Sequence, residues 1–288
     1  MATFVQNGLS RKRQADLTSD VLKIGILNLM PNKKETEEQF LSIFDKLADN
    51  IAVYFFYPAS HHFKTIDPNL IRANYLPLTH AGNLDLDGWI MTGAPVERLP
   101  FEEVDYWDEL QDAIALHHRR KDDVLYECWA AQAGLYVNYG IDKEARPRKL
   151  SGIFATSELD HSSFLTRGFS AGGLLRMPQS RHTGLAVPNE GLPAPLRTVA
   201  FSRDVGPIIM EDSATGEAFV TGHPEYTRET LAKEYKRDVL RGLAVSQPRN
   251  YYVNYLKNKI DYSWRKDSLL FYQNWLTRVS KKKVVKNL

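Results

Sequence analysis

The 288-residue chain reads as an α/β protein: a mostly parallel sheet with helices on both faces, plus antiparallel additions. Three observations predict this. Short apolar runs recur through the first half, and each has the length of a strand rather than a helix. Segments with apolar residues at helical spacing separate them, which is the order that builds parallel sheets. Beyond Gly140 the apolar runs come closer together around turn residues, as in antiparallel hairpins.

The first run, Lys23–Asn28, predicts a buried parallel strand, followed by the turn Leu29–Asn32. From Thr36 to Ala48, acids alternate with Phe40, Leu41, Phe44 and Leu47 in an amphipathic helical pattern. Ile51–Phe56 is a second strand. The segment from Ser60 to Thr79, with Pro68 and Pro77, reads as irregular. Gly88–Thr92 is a third strand, leading into the loop Gly93–Pro100, and Tyr106–Arg120 is a helix. Val124–Tyr126 ends a fourth strand, and the small helix formers Ala130–Tyr136 start a helix just after Cys128. Further on, Leu150–Thr156 and Leu196–Phe201 read as strands, and Pro207–Met210 with Ala218–Thr221 as a hairpin. A helix is expected over Thr230–Leu243, then a packed region rich in Tyr and Trp, with Lys281–Lys283 as a solvated tail. Residues 1–20 are polar and read as an N-terminal arm. Residues 21–288 read as one domain whose aromatic-rich C-terminal extension begins near 248.

The composition bounds the function. The 43% apolar content suffices for a sizeable core, and a net charge of +2 offers no basic field for nucleic acid or membrane. The one cysteine excludes an internal disulfide framework and fits a reducing cytosol. Without an apolar leader or a membrane-length run, the expected location is cytoplasmic.

That cysteine, Cys128, sits at the expected strand-to-helix turn. There its sulfur would stand clear of the backbone, beside the positive end of the helix, with N–H groups at hand for an oxyanion. A buried thiol packing as a small hydrophobe is the competing reading. In parallel sheets the chemistry collects at the carboxyl ends of the strands, and Asn28–Pro31, Gly93–Glu97 and Cys128 all fall on that edge. His223 ends the last strand of the hairpin, so it reaches the same edge if that strand joins the sheet. Glu225, two residues on, would hold the imidazole or stabilise its cation. The other histidines lack the spacing of metal ligands, so no metal is expected.

On these residues the chain resembles the homoserine O-acyltransferase family of the methionine pathway, which includes serine O-acetyltransferase-like members. The fold of that family is like class I glutamine amidotransferases, with a flavodoxin-like core. The matching pieces are Ile26–Pro31 with Lys34–Glu37, Thr92–Trp107, Cys128-Trp-Ala-Ala-Gln-Ala, Lys149-Leu-Ser-Gly, Pro178–Thr183, Val220–Tyr226, Glu234–Asp238 and Asn274-Trp-Leu276. The resemblance implies a ping-pong acyl transfer with no bound cofactor and acetyl-CoA as co-substrate. Cys128 would be the acyl-thioester nucleophile, His223 the general base and Glu225 its support. The candidates for the oxyanion hole are the backbone at Trp129, Gly93 and Ala94. It also implies substrate contacts at Lys149, Ser180 and Arg237. Arg237 would clamp the amino-acid carboxylate, where its position alone would suggest a helix-surface charge. The position of Glu97 is glycine in succinyl-CoA users and glutamate in acetyl-CoA users, and a carboxylate there fills space and repels a succinyl group. A homodimer is in keeping with the family, and the aromatic C-terminal third is the surface expected to supply it.

The chain also departs from the family. The N-terminal arm is short, and Ser60–Thr65 lacks the family's asparagine. Gln179 replaces a histidine, Trp264–Asp267 differs, and Glu127 replaces an apolar residue directly before Cys128. Glu127 would either raise the thiol pKa or face outward. The departures are expected to line or buttress the acceptor pocket, which inclines the acceptor toward L-serine over L-homoserine; the two differ by one methylene, worth about 1–3 kcal/mol in a hydrophobic pocket. The alternatives are a glutamine amidotransferase-like cysteine hydrolase, for which Gly-x-Cys-x-Gly is expected where Glu127-Cys-Trp-Ala130 stands, and a non-catalytic binding protein.

Overall fold

The computed structural model describes residues 2–10, 21–64, 66–170, 174–254, 256 and 259–286. Twelve strands and six α-helices lie along them. The first half comprises β1 (Thr3–Val5), β2 (Val21–Leu27), α1 (Lys33–Phe44), β3 (Asn50–Tyr57), α2 (Pro68–Asn74), β4 (Leu76–Pro77), β5 (Gly88–Met91), α3 (Trp107–Arg120), β6 (Val124–Glu127) and α4 (Trp129–Tyr139). The second half adds β7 (Lys143–Ala155), β8 (Glu158–Leu159), β9 (Arg176–Leu185), β10 (Arg197–Ser202), β11 (Gly206–Asp212), β12 (Glu217–Val220), α5 (Thr230–Leu240) and α6 (Trp264–Lys286).

The main sheet runs β1-β3-β2-β5-β6-β12-β11-β10-β8, with β4 also on β3. Pairing is parallel from β1 to β12 and antiparallel from β12 to β8. The fold class is therefore the expected one, and the strand carrying His223 does join the sheet, directly beside the strand carrying Cys128. Alternate residues feed two cores, as strand geometry requires. Ile24, Ile26, Ile90, Leu125 and Val220 pack on one face against Phe40 and Phe44 of α1, Ile71 of α2 and Trp275 and Val279 of α6. Leu27, Met91, Val124, Tyr126 and Phe219 pack on the other against Trp107, Leu110 and Ile114 of α3 and Trp129 and Leu135 of α4. Among the described residues no helix is long and apolar enough to cross a membrane.

Several elements differ from expectation. The stretch read as irregular contains α2, which Asp67 caps by accepting from the Asn69 N–H, with Pro68 in the first turn. The strand β9 was not foreseen. It forms a separate ribbon with β7, and Gly152 of β7 approaches Arg249 so closely that a Cβ would lie 2.3 Å from the Arg249 carbonyl oxygen, at a φ of 147°. Part of the N-terminal arm belongs to the sheet as β1, and Glu37 holds the N–H groups of Leu9 and Ser10 at 2.9 and 2.7 Å; residues 11–20 lie outside the described residues. Lys281–Lys283 is not a solvated tail. It continues α6, with Lys283 donating to the Val21 carbonyl and Asp87, Lys282 paired with Asp123, and Lys281 over the Phe164 ring. The aromatic C-terminal third is likewise turned inward. Tyr251, Trp264, Phe271, Tyr272 and Trp275 are fully buried within the chain, so these rings do not supply a dimer surface.

Candidate active site

At the end of β6 the chain turns into α4 through Cys128, whose φ of 51° and ψ of −114° are unusual for a side chain other than glycine. The turn is held on the sheet side, where the Cys128 N–H donates to the Val220 carbonyl at 2.7 Å. Trp129 is the first helical residue, so its N–H has no partner within α4. Gly93, in the loop after β5, passes so near that a Cβ there would lie 3.1 Å from Cys128 Cβ and 3.2 Å from His223 Cε1. The strand-end edge thus brings together the residues expected there.

His223 follows β12 and is fixed from three sides. Its N–H donates to the Pro178 carbonyl at 2.9 Å. Its ring stacks on Tyr226 at 4.1 Å between centroids. Its Nδ1 meets Glu225 Oε1 at 2.7 Å, which leaves Nε2 for the nearby Cys128 thiol, whose charge acts on the ring. Burial disfavours the imidazolium, but the charges on Cys128 and Glu225 and the hydrogen bond to Glu225 outweigh it and hold the His223 pKa well above its usual value. A thiol on an imidazole that a carboxylate orients is the arrangement for nucleophilic acyl transfer.

Cys128 and His223 open on a cleft of about 420 Å³, lined also by Met30, Pro31, Ala94–Leu99, Lys149, Ser180, Tyr226, Glu234, Arg237 and Asp238. All three expected substrate contacts are on this wall. Lys149 Nζ lies 2.8 Å from Asp238, the Ser180 hydroxyl donates to Glu234 at 2.5 Å, and Arg237 pairs with Asp238 at 2.8 Å while remaining about half exposed. Glu97 is half-buried on the same wall. Burial raises its pKa, against a hydrogen bond from the His182 N–H and the nearby charges of Lys149, His223 and Arg181. His182 is pushed down to about 4 by burial and by the Arg98 charge; Arg98 donates to its Nδ1 at 2.7 Å, so the ring accepts as a neutral imidazole. A separate cleft of about 630 Å³, lined by Leu84, Trp89 and His117, contains none of these residues.

One position on the cleft, Glu234, escaped the sequence reading, and Glu127, read there as a departure, takes neither of the two orientations expected for it. Glu234 accepts from both Ser180 and the Tyr226 hydroxyl, the latter at 2.7 Å, and joins the two sides of the cleft. The available signal was its spacing of three and four residues from Arg237 and Asp238, which puts all three on one helix face. Glu127 neither faces outward nor touches the sulfur; it is fully buried, accepts from the Tyr272 hydroxyl at 2.5 Å, and lies against Glu225. The other departures stand behind the cleft wall rather than on it. Gln179 is buried and accepts from Arg181 Nε at 2.9 Å; Trp264 Nε1 donates to the Tyr226 carbonyl at 3.0 Å; Asp267 accepts from the Arg176 N–H at 2.7 Å. His61–Lys64 line a neighbouring cleft, and Thr65 lies outside the described residues. No group of three or more His, Cys, Asp or Glu able to hold a metal ion occurs among the described residues.

A family model for homoserine O-succinyltransferase matches residues 6–284. The chain is 38% identical over 256 residues to a homoserine O-acetyltransferase of Geobacillus kaustophilus, covering 88% of this chain and 84% of that protein. It is 39% identical over 275 residues to a homoserine O-acetyltransferase of Lactococcus lactis, covering 95% and 84%. Among solved structures, a glutamine amidotransferase of Thermotoga maritima superposes with a TM-score of 0.59 at 13% identity over 90% of this chain and 98% of that one. Another, from Methylobacillus flagellatus, gives 0.57 at 10% identity over 90% and 94%. At such identities the likeness is one of fold.

Proposed function

The chain belongs to the family of homoserine O-succinyl- and O-acetyltransferases, and on that premise we propose that it carries an acetyl group from acetyl-CoA, through a thioester on Cys128, to the side-chain hydroxyl of L-serine or L-homoserine. The observation that carries this reading is Cys128 at a strained strand-to-helix turn, joined through His223 to Glu225 and open to a cleft walled by Lys149 and Arg237.

The Cys128 thiolate attacks the thioester carbonyl, whose oxyanion meets the N–H groups of Trp129 and the Gly93–Ala94 loop. The C–S bond to CoA then breaks, and the departing thiolate takes a proton from His223. In the second half-reaction His223 Nε2 takes the proton of the acceptor hydroxyl, the oxygen attacks the acetyl carbon, and the Cys128 thiolate leaves. Glu225 keeps Nδ1 protonated and steadies the imidazolium in both halves. Arg237, about half exposed on the wall, supplies the fork for the acceptor carboxylate, and Glu234, which holds Ser180 and Tyr226, supplies negative charge for its ammonium. Glu97 favours acetyl over succinyl as the transferred group.

The test is incubation with acetyl-labelled acetyl-CoA, with and without acceptor. The expected result is one labelled cysteine that is absent in Cys128→Ala and discharged by L-serine or L-homoserine. The kcat/KM for the two amino acids, measured in parallel, identifies the acceptor. A folded protein that takes no label and consumes no acetyl-CoA with either amino acid overturns the reading.

A further inference from the structure

Behind the His223–Glu225 pair stands a second carboxyl that acyl transfer as described leaves unused. Glu127 is the last residue of β6, and its side chain is fully buried. Its Oε1 accepts from the Tyr272 hydroxyl of α6 at 2.5 Å. Its Oε2 is buried without a protein donor, and so is Oε2 of Glu225. The two orphaned oxygens belong to carboxyls that lie against each other and act directly on one another. Two ionised carboxylates in that position would face one another out of reach of water, at a cost of several kcal/mol. A single proton between them satisfies both oxygens at once.

We propose that Glu127 is a positioning residue held as the neutral acid, donating from Oε2 to Oε2 of Glu225 and thereby setting how firmly Glu225 holds the His223 cation. The inference rests on the reading of Cys128, His223 and Glu225 as the acyl-transfer machinery. It completes an ordered relay: Tyr272 donates to Glu127, Glu127 to Glu225, and His223 Nδ1 donates to the other oxygen of Glu225.

The surroundings favour the proton on Glu127. Burial and the Glu225 charge raise its pKa well above the carboxylate range, against the Tyr272 hydrogen bond and the His223 charge. Glu225 touches the imidazole directly, so a proton on Glu225 would sacrifice a contact with the His223 cation that a proton on Glu127 leaves intact. Other groups close round the pair. Tyr272 is held neutral by burial and by the two carboxyls, with Arg265 acting on it in the opposite sense, and Tyr226 and Cys128 flank the His223 side. A hydrogen bond from a neutral acid withdraws part of the Glu225 charge from the imidazolium. His223 then parts with its proton more readily than against an unshared buried carboxylate.

The experiment compares wild type, Glu127→Gln and Glu127→Leu by infrared spectroscopy at neutral pH and by the pH profile of kcat/KM for acetyl transfer. Wild type is expected to show the carbonyl stretch of a neutral buried carboxylic acid, and both variants to lack it. Glutamine retains a donor toward Glu225, so the acid limb of the profile stays where it is in wild type. Leucine removes the donor and leaves His223 facing the full charge, so the acid limb moves up by about one pH unit, a tenfold change in proton affinity. Absence of the infrared band in wild type overturns the proposal, as does a Glu127→Gln limb displaced as far as that of Glu127→Leu. If Glu127→Leu does not fold, the infrared band and Glu127→Gln still decide. A wild type that shows the band yet forms no acyl-enzyme defeats the acyl-transfer reading instead.

Discussion

The role proposed for Glu97 is to set how the cleft treats the tail of an acyl donor. Its half-buried carboxyl accepts from the His182 N–H and stands among Lys149, His223 and Arg181. A succinyl carboxylate entering there meets a like charge, and at about 4 Å in a partly shielded site that repulsion is about 4 kcal/mol. Glycine at this position would remove both the charge and the bulk, and the nearby positive charges of Lys149 and Arg181 would then favour the new carboxylate. Glu97→Gly is therefore expected to raise the succinyl-CoA to acetyl-CoA ratio of kcat/KM by at least about tenfold. An unchanged ratio would remove Glu97 from donor selection. Single residues also mark where sequence reading ran out. Cys128, His223 and Glu225 were legible because strand ends and residue chemistry coincide at them. Glu127 was not, because a parallel strand is buried on both faces and its pattern gives no side for a last residue to turn to. What decides Glu127 is Tyr272, 145 residues later in the chain.

At the scale of elements, the site is a meeting of three strand ends, and the loop after β5 passes close to both Cys128 and His223. Gly93 does not adopt a positive φ, so its requirement is one of space rather than conformation. An added Cβ at 3.1 Å from Cys128 and 3.2 Å from His223 presses on the contact between thiol and imidazole. Gly93→Ala is expected to lower kcat by about 10- to 100-fold, because small displacements of reacting groups cost that much, while the melting temperature stays close to wild type. Equal activity would mean that the loop yields and the contact is looser than drawn. The parallel strands β2, β3, β5 and β6 were readable as apolar runs because both their faces are core. The ribbon β7–β9 was only half readable. Arg176–Leu185 carries Gln179, Arg181 and Thr183 inward, where they hydrogen-bond with one another, with Gln132 and with the Val205 carbonyl, so no apolar alternation marks the strand.

Across the whole molecule, α6 ties stability to the site through two neighbouring residues with separate tasks. Trp275 is fully buried against the sheet, with its ring within 3.3 Å of where a Gly88 Cβ would be; Tyr272, one turn earlier, reaches Glu127 behind the His223 imidazole. The indole lends area and shape, and its Nε1 makes no hydrogen bond that truncation would break. Trp275→Ala removes a large ring from a close-packed core and should cost about 3–5 kcal/mol of unfolding free energy. Tyr272→Phe keeps the ring and its edge contacts with Phe40 and Phe44, so most of its packing survives, and the loss falls on the hydroxyl that Glu127 accepts. The two variants should therefore separate. Denaturant unfolding is expected to show the large loss in Trp275→Ala, while the rate of Cys128 acylation per folded molecule stays near wild type. Tyr272→Phe should show the smaller loss of stability and the altered pH profile. If Trp275→Ala instead slows acylation of the folded fraction as much as Tyr272→Phe does, α6 acts on the site through its position as a whole, and the relay through Tyr272 is not a separate path.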